Sequence, residues 1–178
     1  GTHAVDMLAW LIGPLGAVQA LNGVSIKQRP HPDGGLAAVD APDVSLLQTV
    51  AQWQGRQDLP VPAQVSLSSV SRNGRGFCLD VVGSSGSLML SSTNQKDYVH
   101  GFELQHAPLG EPFRAVEADA DLAYPQTWSD GRIAPVVRVL GWWAESIRSG
   151  QPMLPGLAEG VASRVACDQA AGGTLDLA

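Results

Sequence analysis

The residue best suited to acid–base chemistry is the third. His3 stands in the run Gly1-Thr2-His3-Ala4-Val5-Asp6-Met7-Leu8-Ala9-Trp10-Leu11-Ile12-Gly13. There Val5, Leu8, Ala9 and Ile12 recur at helical spacing, and Gly13-Pro14 ends the pattern. The spacing predicts a short amphipathic helix over 3–12 with an imidazole on its first turn. Oxidising a secondary alcohol by hydride transfer leaves a hydroxyl proton to be removed, and a group titrating near neutrality removes it efficiently. The positive end of a helix dipole favours neutral imidazole, which suits a base or a hydrogen-bond donor. A histidine hydrogen-bonded at the start of a helix for purely structural reasons is the plainer reading, and spacing alone favours it. Asp6, three residues further on the same side, could orient the imidazole or touch a substrate. An aspartate in the first helical turn is also favourable through the dipole alone.

Other residues invite chemical readings of lesser weight. Gly83-Ser84-Ser85-Gly86 lacks the lysine and the strand-to-helix setting of a phosphate loop, so a hairpin turn is expected there. No G-x-G-x-x-G occurs anywhere in the chain. Asp97, His100, Glu103 and His106 recur every three residues, but on a strand such positions alternate faces, so a solvated edge is expected rather than a metal site. Tyr124, Trp128 and Arg132 lie together in sequence, and they could border a pocket: an aromatic face stacks on a sugar ring, and a guanidinium bonds hydroxyls. Ordinary anchoring of a loop by an aromatic fits the same residues.

The elements that must position these groups fall into three stretches. Residues 17–29 read as extended and broken at Asn22-Gly23, a pair that favours tight turns. Residues 30–42, with three prolines and two adjacent glycines, read as a surface loop. A β-rich block follows over 44–53, 63–71, 77–82, 87–90 and 98–104, its runs separated by turn-rich segments around 54–56, 73–76, 83–86 and 91–94. Alternation is clearest at Val61, Ala63, Val65 and Leu67 and at Phe77, Leu79 and Val81, as a sheet with one buried face requires. Two helices close the chain. Ile133, Val136, Val137, Leu140, Ala144 and Ile147 form one apolar stripe ending at Gly150, and Leu157, Val161, Ala162, Val165 and Ala166 form another ending at Gly172-Gly173. Residues 174–177 could return as an edge strand. Helices at both ends of an antiparallel meander argue for an α+β two-layer sandwich, an open and mostly antiparallel sheet with helices packed on one face.

Composition narrows the function classes. A chain of 178 residues fits one domain and buries about 70% of its unfolded surface. With 44% hydrophobic and 16% charged residues, 20 glycines and 12 prolines, it is a globular domain rich in turns. Eleven Lys and Arg against 17 Asp and Glu give a net charge of −6 without a basic cluster, which argues against nucleic acid and anionic membrane as partners. No apolar run approaches a membrane span. Cys78 and Cys167, each in an apolar setting, read as buried free thiols and point to a reducing cytoplasm.

The opening run resembles the start of the C-terminal domain in the glucose-fructose oxidoreductase / inositol dehydrogenase / rhizopine catabolism (Gfo/Idh/MocA) family. Asp43-Val44-Ser45-Leu46-Leu47 leading to Trp53-Gln54-Gly55, the Val82-Gly83-Ser84-Ser85-Gly86-Ser87-Leu88 hairpin, and Gly156-Leu157-Ala158-Glu159-Gly160 in the closing helix follow in the order that family shows. The resemblance implies that residues 1–178 form a single substrate-binding and oligomerisation domain, with the dinucleotide-binding Rossmann domain upstream of Gly1 and absent from the chain. NAD or NADP would be bound mainly by that missing domain. The parent would be an oxidoreductase acting on a sugar, a polyol or a related hydroxy compound, assembled as a homodimer or higher oligomer through the sheet. His3 then matches the histidine of the family's D-x-x-x-H pattern and carries the catalytic role, while the aspartate of that pattern and the lysine of E-K-P would precede Gly1. A non-catalytic α+β module that self-associates or binds carbohydrate is the competing expectation. The fragment alone is expected to be inactive.

Overall fold

The computed structural model describes residues 1–53, 55 and 59–173, and they fall into two compact units, Gly1–Arg72 with Leu154–Ala178, and Asn73–Met153. The first unit opens with helix α1 (Thr2–Leu11), whose Val5 and Leu8 are buried one turn apart. Gly13, at φ 145°, ends the turn that follows.

Strands β1 (Gln19–Gly23), β4 (Val44–Gln52) and β5 (Pro60–Ser68) form an antiparallel sheet in the order β1-β4-β5. The alternation read at Val61, Ala63, Val65 and Leu67 holds, each of these being less exposed than its neighbours along β5. Ala20, Leu47 and Val65 stand in one cross-strand row, on the face that carries the core. Val5, Val18, Leu47, Ala166 and Ala170 form that core, with Leu15, Ala20, Val65, Leu67 and Cys167 packed around it.

Residues 30–42 contain more structure than a loop. A short hairpin of β2 (Gln28–Pro30) and β3 (Leu36–Ala38) turns through Gly34 and Gly35, both at positive φ. Strands of three residues leave too little pattern to detect beside three prolines. Asn22-Gly23 is not a turn either, because Gly23 pairs with Val44 and Asn22 is buried. The amide of Asn22 donates to the carbonyls of Ala170 and Gly173 at the end of helix α3 (Leu157–Ala171) and accepts from the Ser45 hydroxyl, so its side chain satisfies carbonyls the helix leaves open. The buried Asp43 carboxylate accepts from the Ser25 and Ile26 amides, with Arg29 3.7 Å away. Those two amide bonds, then the Ser25 side chain and last the guanidinium, hold its carboxyl below the usual range against the effect of burial.

Helix α3 is as long as expected, but of its anticipated stripe only Ala166 is buried. Ser163, Ala166 and Ala170 are buried, whereas Leu157, Val161 and Val165 of the anticipated stripe are exposed. Small residues let α3 approach α1 and β1 closely, and larger ones at those positions would hold it off. The edge strand expected over 174–177, and the turn residues Gln54 and Arg56, lie outside the described residues.

The single meander expected over 44–104 is divided, its first two runs pairing with β1 in the first unit and the rest forming a separate sheet in the second. Strands β6 (Phe77–Gly83), β7 (Gly86–Ser92), β8 (Glu103–Pro108) and β9 (Arg114–Val116) pair in sequence order. Gly83 pairs with Gly86 across Ser84-Ser85, so the glycine-serine segment is a hairpin turn. An added Cβ at Gly86 would come 2.4 Å from the Ala107 carbonyl, which keeps that position glycine. The last long strand begins later than expected: residues 97–101 turn, Asp97 accepting from the Val99 and His100 amides, and Glu103 opens β8. Helix α2 (Ile133–Ser149) ends on Gly150 in the left-handed region, as read. Cys78 lies among polar neighbours rather than in an apolar setting, with the Arg75 guanidinium 3.7 Å away and the Asp80 carboxylate near its sulfur. Among the described residues both cysteines are free.

Candidate functional site

His3 is the second residue of α1 and is exposed, and none of the described residues hydrogen-bonds its ring. The tied structural histidine is therefore not what the geometry shows. The backbone around it is positioned from below. Gly1 caps the helix with its carbonyl, which accepts from the Ala4 and Val5 amides, and Val5 is anchored in the core at 2% exposure. The amides of the first turn have no side-chain cap among the described residues, and His3 is exposed beside them.

Asp6 departs from its expected place. It is the fifth helical residue, beyond the first turn, and its Oδ1 accepts a 3.0 Å hydrogen bond from Ser163 on α3. Its contribution comes from that inter-helix bond and not from the dipole at the first turn. Ser163 carries no local signal. What could have exposed it is its phase: Ser163, Ala166 and Ala170 form a small-residue stripe on one face of α3.

Tyr124, Trp128 and Arg132 belong to the second unit, and His3 and Asp6 to the first. Arg138 stacks its guanidinium 4.1 Å over the Tyr124 ring and donates to the Leu122 and Ala123 carbonyls, so one face of that aromatic is already covered. Trp128 is about one-third exposed in the loop before α2. Arg132 grips Asp130 through two parallel bonds, Nε to Oδ1 at 2.9 Å and Nη2 to Oδ2 at 2.7 Å. The guanidinium, with the Arg132 amide, holds the Asp130 carboxyl down to about 2. Gly131 is fixed by proximity, since a Cβ there would fall 2.4 Å from Asp97 Oδ1. Loop anchoring thus accounts for Tyr124 and for much of the hydrogen-bonding capacity of Arg132.

A dinucleotide needs a glycine-rich turn that carries a strand directly into a helix N-terminus. Among the described residues no strand does so: 16 residues separate β9 from α2, α1 opens the chain, and α3 follows α2. The described residues do not fit the pyrophosphate.

No family model matches the chain. It is 39% identical over 170 residues to an uncharacterised oxidoreductase of a Synechocystis strain, covering 94% of this chain and 44% of that protein. Among solved structures, an NAD-binding oxidoreductase from Klebsiella pneumoniae superposes with a TM-score of 0.69 at 16% identity, over 94% of this chain and 45% of that one. An Agrobacterium radiobacter oxidoreductase in complex with NAD+, L-tartaric acid and magnesium gives 0.60 at 17%, over 97% and 46%. A super-repressor mutant from Saccharomyces cerevisiae gives 0.58 at 14%, over 94% and 44%. The chain spans less than half the length of each. The fold is the one these solved NAD-binding oxidoreductases and the repressor share over the part that matches.

Proposed function

We propose that the chain is the substrate-side domain of an NAD(P)-dependent oxidoreductase acting on a sugar, polyol or related hydroxy compound, and that His3 takes the hydroxyl proton. The observation that carries this is His3 itself: an exposed imidazole that no described residue hydrogen-bonds, at the start of a helix anchored in the core, within a chain 39% identical to an oxidoreductase. A nicotinamide cofactor held elsewhere would supply the hydride acceptor. An imidazole nitrogen of His3 accepts the proton, and the carbinol becomes a carbonyl. The cofactor is held mainly by a domain outside this chain. The compartment we propose is the cytoplasm, in keeping with the two free cysteines; no helix among the described residues is long and apolar enough to cross a membrane.

Self-association through sheet faces belongs to the same proposal. Leu21, Leu46 and Val50 are exposed on the face of the first sheet away from its core, and Leu88, Leu104 and Val116 are exposed on the face of the second that also carries Leu79 and Val81. A non-catalytic module is the second reading, supported by the repressor among the structural relatives. Assay of the full-length parent separates the two. Reduction of NAD+ or NADP+ with any of D-glucose, myo-inositol or L-tartrate supports the enzyme, and no turnover with all three supports the module.

A further inference from the structure

We propose that Ser163 is a positioning residue for the proton transfer assigned to His3, acting through Asp6; the inference rests on that assignment. Ser163 is 6% exposed on a face of α3 otherwise made of Ala166 and Ala170. Burying a hydroxyl costs free energy unless it is bonded, and an alanine would fill the same place. The serine spends its hydrogen on Asp6 Oδ1, 157 residues away in sequence. One turn further along α3, the Cys167 sulfur lies 3.7 Å from where a Gly1 Cβ would sit. Helix α3 therefore meets α1 at two levels, Ser163 against Asp6 and Cys167 against Gly1, and His3 lies between them.

Val5 already anchors this turn in the core, and the fastening adds a directional polar contact at the next residue. Gly1 offers no side-chain cap, and an uncapped first turn frays readily. The Ser163 bond fixes the rotation of α1 about its axis, and so the direction in which the residue one turn earlier projects. Proton transfer is sensitive to that direction, since a misplacement of about 1 Å can cost on the order of 100-fold.

A double-mutant cycle in the full-length parent tests this, with NAD+ or NADP+ and whichever of D-glucose, myo-inositol and L-tartrate is oxidised fastest. Ser163→Ala should lower kcat about tenfold while KM changes less than about twofold. In a His3→Ala background the same substitution should cost less than about twofold, because the group it positions is gone. Equal losses in both backgrounds, or an unchanged kcat in the first, would overturn the positioning role while leaving His3 its own. A His3→Ala protein of full activity, or no turnover with all three compounds, would remove the functional reading and this inference with it.

Discussion

Along α3, Ser163, Ala166 and Ala170 are buried while Leu157 and Val161 stand 90% and 61% exposed; along α2 only Ala134 is buried, and Val136, Leu140, Trp143 and Ile147 are all more than half exposed. Both helices carry an apolar stripe of helical period. On α3 the small side is buried against α1 and β1, and on α2 the large side faces solvent. Period tells which residues share a face. Which face is buried depends on how closely the neighbouring backbone can come, and small side chains permit the closest approach. The anchored region is the one that presents His3.

The sharpest way to break the anchored region is through its core. Val5→Ala should destabilise the chain by about 2 kcal/mol, from lost burial and the cavity left behind. Ile147→Gln, made on the exposed helix, should change stability by no more than about 0.5 kcal/mol. Chemical denaturation of both variants reads the difference, and equal losses would dissolve the contrast. For association, Leu104→Gln in the second sheet should bring a light-scattering mass down toward 18.6 kDa while Ile147→Gln leaves it unchanged. A mass of 18.6 kDa for the unmodified chain at all concentrations would count against sheet-mediated assembly.

The smallest effect is electrostatic. Asp130 titrates near 2 rather than 3.8 because Arg132 grips its charged form. The stabilisation this pair gives is thus complete above 3.8 and is lost as pH falls through about 2. An NMR titration of the Asp130 carboxyl should find the low midpoint, and Arg132→Gln should return it toward 3.8. A wild-type midpoint already at the ordinary value would show that the pair does not persist in solution.

Much of the architecture was legible because it is written in short-range pattern. The α1 stripe, the alternation on β5 and the Gly83–Gly86 turn each declare themselves within a dozen residues. Features set by distant partners were not. Asn22 looks like a turn residue until its place beside the end of α3 is known, and Ser163 looks like an interruption of an apolar helix until Asp6 is found against it. The three-residue strand β9 lacks the length to show a period. At the site, resemblance pointed to His3, and the structure supplied what resemblance could not, the exposure of its ring and the packing beneath it. Tyr124 and Arg132 were drawn in by residue type, and local partners, Arg138 and Asp130, account for much of what those side chains do.

The most direct test of the central claim is the turnover of the full-length parent carrying His3→Ala, measured against the unmodified parent with a compound it oxidises and with cofactor affinity followed in parallel. The account predicts a fall in kcat of roughly 10²–10⁴-fold, the usual contribution of a positioned acid–base group, with cofactor affinity nearly unchanged because the phosphates are held elsewhere. Retention of most of the activity would contradict it and make His3 a surface residue at the start of a helix.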